Sequence, residues 1–118
     1  MKTPDLSDFF SLAGRNAIVT GGGSGLGQAV AEGFAQFGAA VAVVDIDAAA
    51  AGQVADGIAA SGGRAIALPC DVSDQAQVEA AVAAAVETYG QIHVLVSNAG
   101  IGDRAPAEDM TVDQWQRV

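Results

Sequence analysis

Two spacings of apolar residues alternate along the chain. Short, nearly unbroken runs read as strands at Asn16–Thr20, Ala40–Asp45, Arg64–Cys70 and Ile92–Ser97. Runs of that length without polar alternation are expected where a strand is covered on both faces. Between them, apolar residues recur three or four apart, which is one face of a helix. Leu26, Val30, Gly33/Phe34 and Phe37 predict a helix over about Ser24–Phe37, ended by Gly38 as a C′ glycine. Alanine-rich Ala48–Ala60, with Val54 and Ile58 on one face, predicts a second, stopped by Ser61-Gly62-Gly63. Val78, Val82, Val86 and Tyr89 mark the clearest periodic segment, which either Ser73 or Asp74 can cap and Gly90 closes. A last helix starts at Thr111, with Gln114 as its capping-box partner and Trp115 and Val118 opening its apolar face.

The rhythm is β-α-β-α-β-α-β-α. Such alternation predicts an α/β fold, a doubly wound parallel sheet with right-handed helical crossovers. Ligands of such sheets lie at the carboxyl ends of the strands, where strand order reverses. Every chemically distinctive stretch falls at such an end: Gly21–Gly27, Asp45, Asp71 and Asn98. Met1 to Gly14 reads as a polar lead-in with one apolar patch, Phe9, Phe10 and Leu12, that covers the opposite rim. No repeat, low-complexity linker or domain boundary interrupts residues 1–118.

Composition narrows the partners. The 118 residues suffice for one small domain, and 51% of them are apolar. A net charge of −9 argues against nucleic acid or an anionic membrane surface. Met1 to Asp8 is too polar for a signal peptide, and no run approaches a membrane span. The single cysteine, Cys70, fits a reducing cytoplasm and reads as a small buried hydrophobe.

The stretch with the most specific chemistry is Thr20-Gly21-Gly22-Gly23-Ser24-Gly25-Leu26-Gly27. It joins a strand to a helix, the context a dinucleotide fingerprint needs. Glycines there permit positive φ and close approach of a ligand to the backbone, and a helix N-terminus favours a phosphate. Asp45 lies eighteen positions past Gly27, near the roughly 20 expected for a ribose-binding carboxylate. It can accept from both adenosine ribose hydroxyls and would repel a 2′-phosphate. The loop slot where a basic residue would favour that phosphate holds Ser24. Asp47 reads as a helix N-cap. Asp71-Val72 either starts the turn into the third helix or meets an adenine. Asn98-Ala99-Gly100 either ties strand ends together beside a ribose or forms an ordinary turn. His93 reads as structural, and Asp103, Glu108, Asp109 and Asp113 as a solvated acidic face with no metal cluster.

Together these residues resemble the short-chain dehydrogenase/reductase family. Its Thr-Gly-x-x-x-Gly-x-Gly pattern is met by Thr20, Gly21, Gly25 and Gly27, and Asp45 falls where NAD-preferring members carry their ribose acid. Asp71-Val72 matches the adenine pair, and Ser97-Asn98-Ala99-Gly100 matches Asn-Asn-Ala-Gly with Ser97 in place of the first Asn. The resemblance covers about Leu12 to Val118. It implies a Rossmann-type sheet, seen here as its N-terminal half. The cofactor contacts it implies are Gly21, Ser24, Gly25, Leu26, Gly27, Asp45, Ile46, Asp71, Val72, Asn98, Ala99 and Gly100. It also implies NAD in preference to NADP, an alcohol or ketone substrate, and a homo-oligomer at full length. Its nearest flavour is the bacterial polyol, sugar-acid and 3-oxoacyl reductase members.

The family's catalytic Asn, Ser and Tyr-x-x-x-Lys are not matched. The one tyrosine is Tyr89, followed four residues on by His93, and the one lysine is Lys2. No catalytic residue is therefore assigned, and the chain reads as the cofactor-binding part of an enzyme about twice as long, without turnover of its own. The alternative is a free-standing nucleotide-binding module or an inert fragment. A methyltransferase-type site fits the glycine spacing poorly.

Overall fold

A computed structural model of the chain describes residues 9–100 and 107–117. Expectations that rest on Met1–Asp8, Ile101, Gly102, Asp103 and Val118 lie outside the described residues. The order is β1 (Asn16–Thr20), α1 (Gly25–Gln36), β2 (Ala40–Asp45), α2 (Ala48–Ala60), β3 (Arg64–Pro69), α3 (Gln75–Tyr89), β4 (Val94–Val96), a 3-10 turn (Ala107–Asp109) and α4 (Val112–Arg117). The strands form one parallel sheet in the order β3-β2-β1-β4. This is the Rossmann-type arrangement, with the order reversing between β1 and β4.

β2 is unbroken in apolar character because both its faces are covered. Val41 and Val43 join Val19 in a core under α1 and α2, built from Ala31, Ala51, Val54, Ala55 and Ile58. Ala42 and Val44 join Ile18 on the other face, under Ala85 of α3. Val19, Val41 and Val43 are fully buried, each contributing about 1.5–3 kcal/mol relative to exposure. Pro69 is tolerated because β3 is an edge strand, where a ladder donor can be lacking.

Helix ends follow the polar punctuation. Asp47 caps α2 by accepting from Ala50 N at 3.0 Å. Asp74, rather than Ser73, caps α3, accepting from Ala76 N and Gln77 N. Thr111 and Gln114 exchange two bonds, at 2.9 and 3.1 Å, in the expected capping box. Gly38 and Gly90, both at positive φ, stop α1 and α3.

Three expectations are corrected. The face of α3 that meets the sheet is Val78, Ala81, Ala85 and Tyr89, whereas Val82 and Val86 stay exposed. Steps of three and four are both compatible with a helical stripe, so the sequence admits either face. Second, β4 is shorter than Ile92–Ser97, running Val94–Val96 beside β1. Within the described residues Leu95, which pairs with Ile18, is 64% exposed. Third, of the apolar patch near the start, Leu12 packs on the core and bonds Phe37 O through its amide at 2.7 Å, but Phe9 and Phe10 remain exposed.

The rim opposite the strand carboxyl ends is fastened by Asn16. It is 8% exposed, and its Nδ2 donates to the carbonyls of Tyr89 and Gln91 at 3.2 and 2.8 Å. Its amide donates to His93 Nδ1 at 2.9 Å, and the His93 amide donates back to Asn16 O at 2.8 Å. His93 thus acts structurally, accepting through Nδ1 where the β1–β4 pairing starts.

Candidate functional site

The carboxyl ends of β1, β2, β3 and β4 open onto a cleft of about 600 Å³, within the range of small-ligand sites. Its lining includes Gly21, Ser24, Asp45, Ile46, Asp71, Val72, Asn98, Ala99 and Gly100. Nine of the twelve candidate contacts therefore share one cavity. The other three belong to the start of α1 and do not line it. Leu26 is 72% exposed, Gly25 is exposed, and Gly27 is buried.

The glycines serve different ends. Gly25 has φ 57°, and a Cβ built there would meet nothing within 4 Å. Its side of the loop is open space among the described residues. Gly27 is the reverse case. A Cβ there would collide with the carbonyl of Gly21 and lie 2.6 Å from Asn98 Nδ2. Gly27 is thus a packing glycine that lets α1 sit on the strand ends. Gly21, at φ 64°, leaves room for the same Asn98 amide, which donates to Gly21 O at 3.3 Å. Asn98 does tie two strand ends together.

Thr20 completes that tie. Its Oγ1 accepts from the amides of Asn98 and Ala99, both at 3.0 Å, and donates to Val96 O at 3.3 Å. One hydroxyl therefore fixes the chain beyond β4 against the end of β1. The sequence reading used Thr20 only as part of a pattern. A β-branched hydroxyl ending a buried strand was the available signal.

Asp45 leaves β2 half-buried, with both carboxylate oxygens held by backbone amides. Gly23 N donates to Oδ2 and Asp47 N to Oδ1, each at 2.9 Å. Ile46 beside it is exposed at the cleft. Asp71 is tied differently. Its Oδ1 accepts from the amide and hydroxyl of Ser73, at 2.9 and 2.6 Å. These bonds, side chain first, hold its carboxyl below the usual carboxylate range, against a smaller opposing effect of desolvation. The Asx turn into α3 is therefore real, and it sits on the cleft wall. Cys70 is buried. Burial, then the charges of Asp71 and Asp74, pushes its thiol up, so it is a poor nucleophile at neutral pH.

Gln116 of α4 also lines the cleft. Sequence reasoning missed it, having read α4 only for its capping box and its apolar face. Tyr89 stands apart from the cleft, at the other end of the sheet, donating to Val41 O at 3.1 Å.

Comparison with known proteins agrees with this geometry. The short chain dehydrogenase family model matches residues 15–118. D-threitol dehydrogenase of Mycolicibacterium smegmatis is 40% identical over 106 residues, which cover 90% of this chain and 41% of that protein. The 7alpha-hydroxysteroid dehydrogenase of Escherichia coli is 40% identical over 112 residues, covering 95% of this chain and 44% of its own. A solved structure of 7 alpha-hydroxysteroid dehydrogenase complexed with NADH and 7-oxo glycochenodeoxycholic acid superposes with a TM-score of 0.90 at 37% identity, covering 98% of this chain and 44% of that one. The 3-ketoacyl-(acyl-carrier-protein) reductase of Brucella melitensis, complexed with NADH, gives a TM-score of 0.83 at 43% identity over 91% of this chain and 43% of its own.

The chain belongs to the short-chain dehydrogenase family of oxidoreductases. It spans a little under half the length of the relatives it matches. Among the described residues, no helix is long and apolar enough to cross a membrane.

Proposed function

We propose that this chain binds NAD and forms the cofactor-binding part of an NAD-dependent alcohol/ketone oxidoreductase. Residues 1–118 act as one dinucleotide-binding domain in the cytoplasm, and the full-length protein self-associates. Gly21–Gly27 would receive the pyrophosphate at the start of α1, Asp45 and Ile46 the adenosine ribose, and Asp71 and Val72 the adenine. Asn98, Ala99 and Gly100 would border the nicotinamide ribose. The residues fit such a group: Gly25, next to Ser24 of the cleft wall, faces open space at positive φ, and a pre-fixed carboxylate lines the cleft. When bound, the nicotinamide would supply or accept hydride. The chain's own residues bind, orient and select.

The observation that carries the choice of NAD is Asp45. Its carboxylate lines the cleft, and Ser24 rather than a cation occupies the loop beside it. A 2′-hydroxyl can donate to that carboxylate, whereas a 2′-phosphate would face an uncompensated like charge. Calorimetric titration of NAD and NADP tests this. NAD should bind at least tenfold more tightly, which corresponds to about 1.4 kcal/mol. Asp45→Ser should narrow the gap. Equal or tighter binding of NADP by the unmodified protein would refute the preference.

A further inference from the structure

Gly23 sits in the middle of the glycine loop without needing to be glycine for its backbone angles. The described glycines at positive φ include Gly21 and Gly25 but not Gly23. What excludes a side chain is space. A Cβ at position 23 would lie 2.8 Å from Asp45 Oδ2, 2.9 Å from Ala50 Cβ and 3.1 Å from Ala51 N. The last two belong to the first turn of α2 and cannot swing aside. The Asp45 carboxylate ends a side chain and can.

The same residue also holds that carboxylate. The Gly23 amide donates to Oδ2 at 2.9 Å while the Asp47 amide donates to Oδ1 at 2.9 Å. The two donors come from different segments, the loop after β1 and the turn after β2. An ionised carboxylate has about four acceptor sites, so two such bonds leave acceptor capacity for a ligand. The group is set before any ligand arrives, and that ordering cost is not charged to binding.

We propose that Gly23 is a specificity-positioning residue, whose bare Cα and amide set where the Asp45 carboxylate lies and hence how strongly a ribose 2′-hydroxyl is preferred to a 2′-phosphate. This rests on the reading that Asp45 meets the ribose. The two discriminating forces differ in range. A hydrogen bond to the hydroxyl fails once the oxygen moves by more than a few tenths of an ångström beyond good geometry. Charge repulsion of a phosphate falls only as the inverse of distance. Displacing the carboxylate therefore removes the attraction to NAD and keeps the rejection of NADP. Deleting the carboxylate removes both.

The test uses the full chain in two arms. In the first, amide hydrogen exchange is followed by NMR without ligand. Asp45→Ala should speed exchange at Gly23 at least tenfold, with Gly22, whose amide donates to Val44 O at 3.1 Å, unchanged as the folding control. In the second, Gly23→Ala should weaken NAD about tenfold and leave NADP within twofold. Asp45→Ala should weaken NAD and strengthen NADP, and adding Gly23→Ala to it should change neither further. Gly23→Ala with Ala50→Gly, which removes the methyl contact, should behave as Gly23→Ala alone. Unchanged Gly23 exchange in Asp45→Ala overturns the proposal, and that arm decides the tie even where Gly23→Ala does not fold. Equal loss of NAD binding with and without the Asp45 carboxylate also overturns it, as damage to the loop at large. Failure of the ribose reading looks different: the unmodified protein then shows no NAD preference, or Asp45→Ala does not alter it.

Discussion

Replacing Thr20 by valine keeps its shape and β-branching and removes one oxygen. The strand itself should tolerate the change, since valine suits a buried parallel strand. What is lost is the hydroxyl that accepts from Asn98 N and Ala99 N at 3.0 Å and donates to Val96 O. Two amides lose their acceptor. A fully buried donor left unpaired costs about 1–3 kcal/mol. All three residues are only half-buried, so we take the lower part of that range, about 1–2 kcal/mol for each amide. The expected loss is thus about 2–4 kcal/mol of the roughly 5–15 kcal/mol that a domain commonly has. Thr20→Ser keeps the oxygen and deletes a methyl, about 0.8 kcal/mol at full burial. With a urea m-value of about 1–3 kcal/mol/M, the valine variant should melt roughly 0.7–4 M earlier and the serine variant within about 0.8 M of the parent. Amide exchange should locate the damage, with Asn98 and Ala99 losing protection in valine but not in serine. Equal midpoint shifts, or preserved protection at both amides in Thr20→Val, would refute the role assigned to the hydroxyl.

Gly25→Val should abolish NAD binding while the helical circular dichroism stays, because the added side chain would enter the open loop face at a backbone φ of 57° that valine resists; unchanged affinity would make the loop structural only. Ser73→Ala should return the Asp71 carboxyl toward its ordinary value in an NMR titration, since the Ser73 hydroxyl bond is the largest cause lowering it. Tyr89 has its pKa raised by burial, against smaller opposing effects of Arg64 and the Ile66 backbone. The unfolded tyrosine ionises first, so its stabilisation is full below about pH 10 and is lost as pH rises through the folded value. Tyr89→Phe should flatten that alkaline loss in urea melts recorded from pH 8 to 11.

The strand and helix order was legible because the two periods of the apolar pattern differ and glycines separate them. β1 and β2 end where the sequence reading placed them. Where it erred, the pattern itself was ambiguous. Val78, Val82 and Val86 look like a buried stripe, but the face that meets the sheet runs through Ala81 and Ala85, and alanines do not stand out in an alanine-rich helix. Likewise, the residues of β4 announce a strand but not its place. How exposed Leu95 is depends on what packs around β4, and that is not written locally in Val94–Val96.

The candidate site divides along a similar line. Sequence reasoning identifies groups by their side chains, and it found Asp45, Asp71 and Asn98 at one rim because each bears an atom that can meet a ligand. It did not find what holds them. Asp45 is fixed by two amides, whereas Asn98 is fixed through the Thr20 hydroxyl and a glycine carbonyl, and Asp71 through Ser73. Amides and carbonyls are identical at every residue, so no pattern of residue types marks the ones that matter. The nearest local signal is glycine, and even there the residue type conceals two causes. Gly21 and Gly25 adopt positive φ, whereas Gly22 and Gly23 are hemmed in by neighbours. Substitutions separate the two. Where φ is positive, every side chain that resists it is strained, and β-branched ones most. Where space is the constraint, the outcome depends on whether the facing atom can retreat. At Gly23 the facing atoms are the Asp45 carboxylate, which can retreat, and Ala50 Cβ, which cannot, so the glycine between the two conspicuous ones is the one whose substitution presses on the carboxylate proposed to choose the ligand.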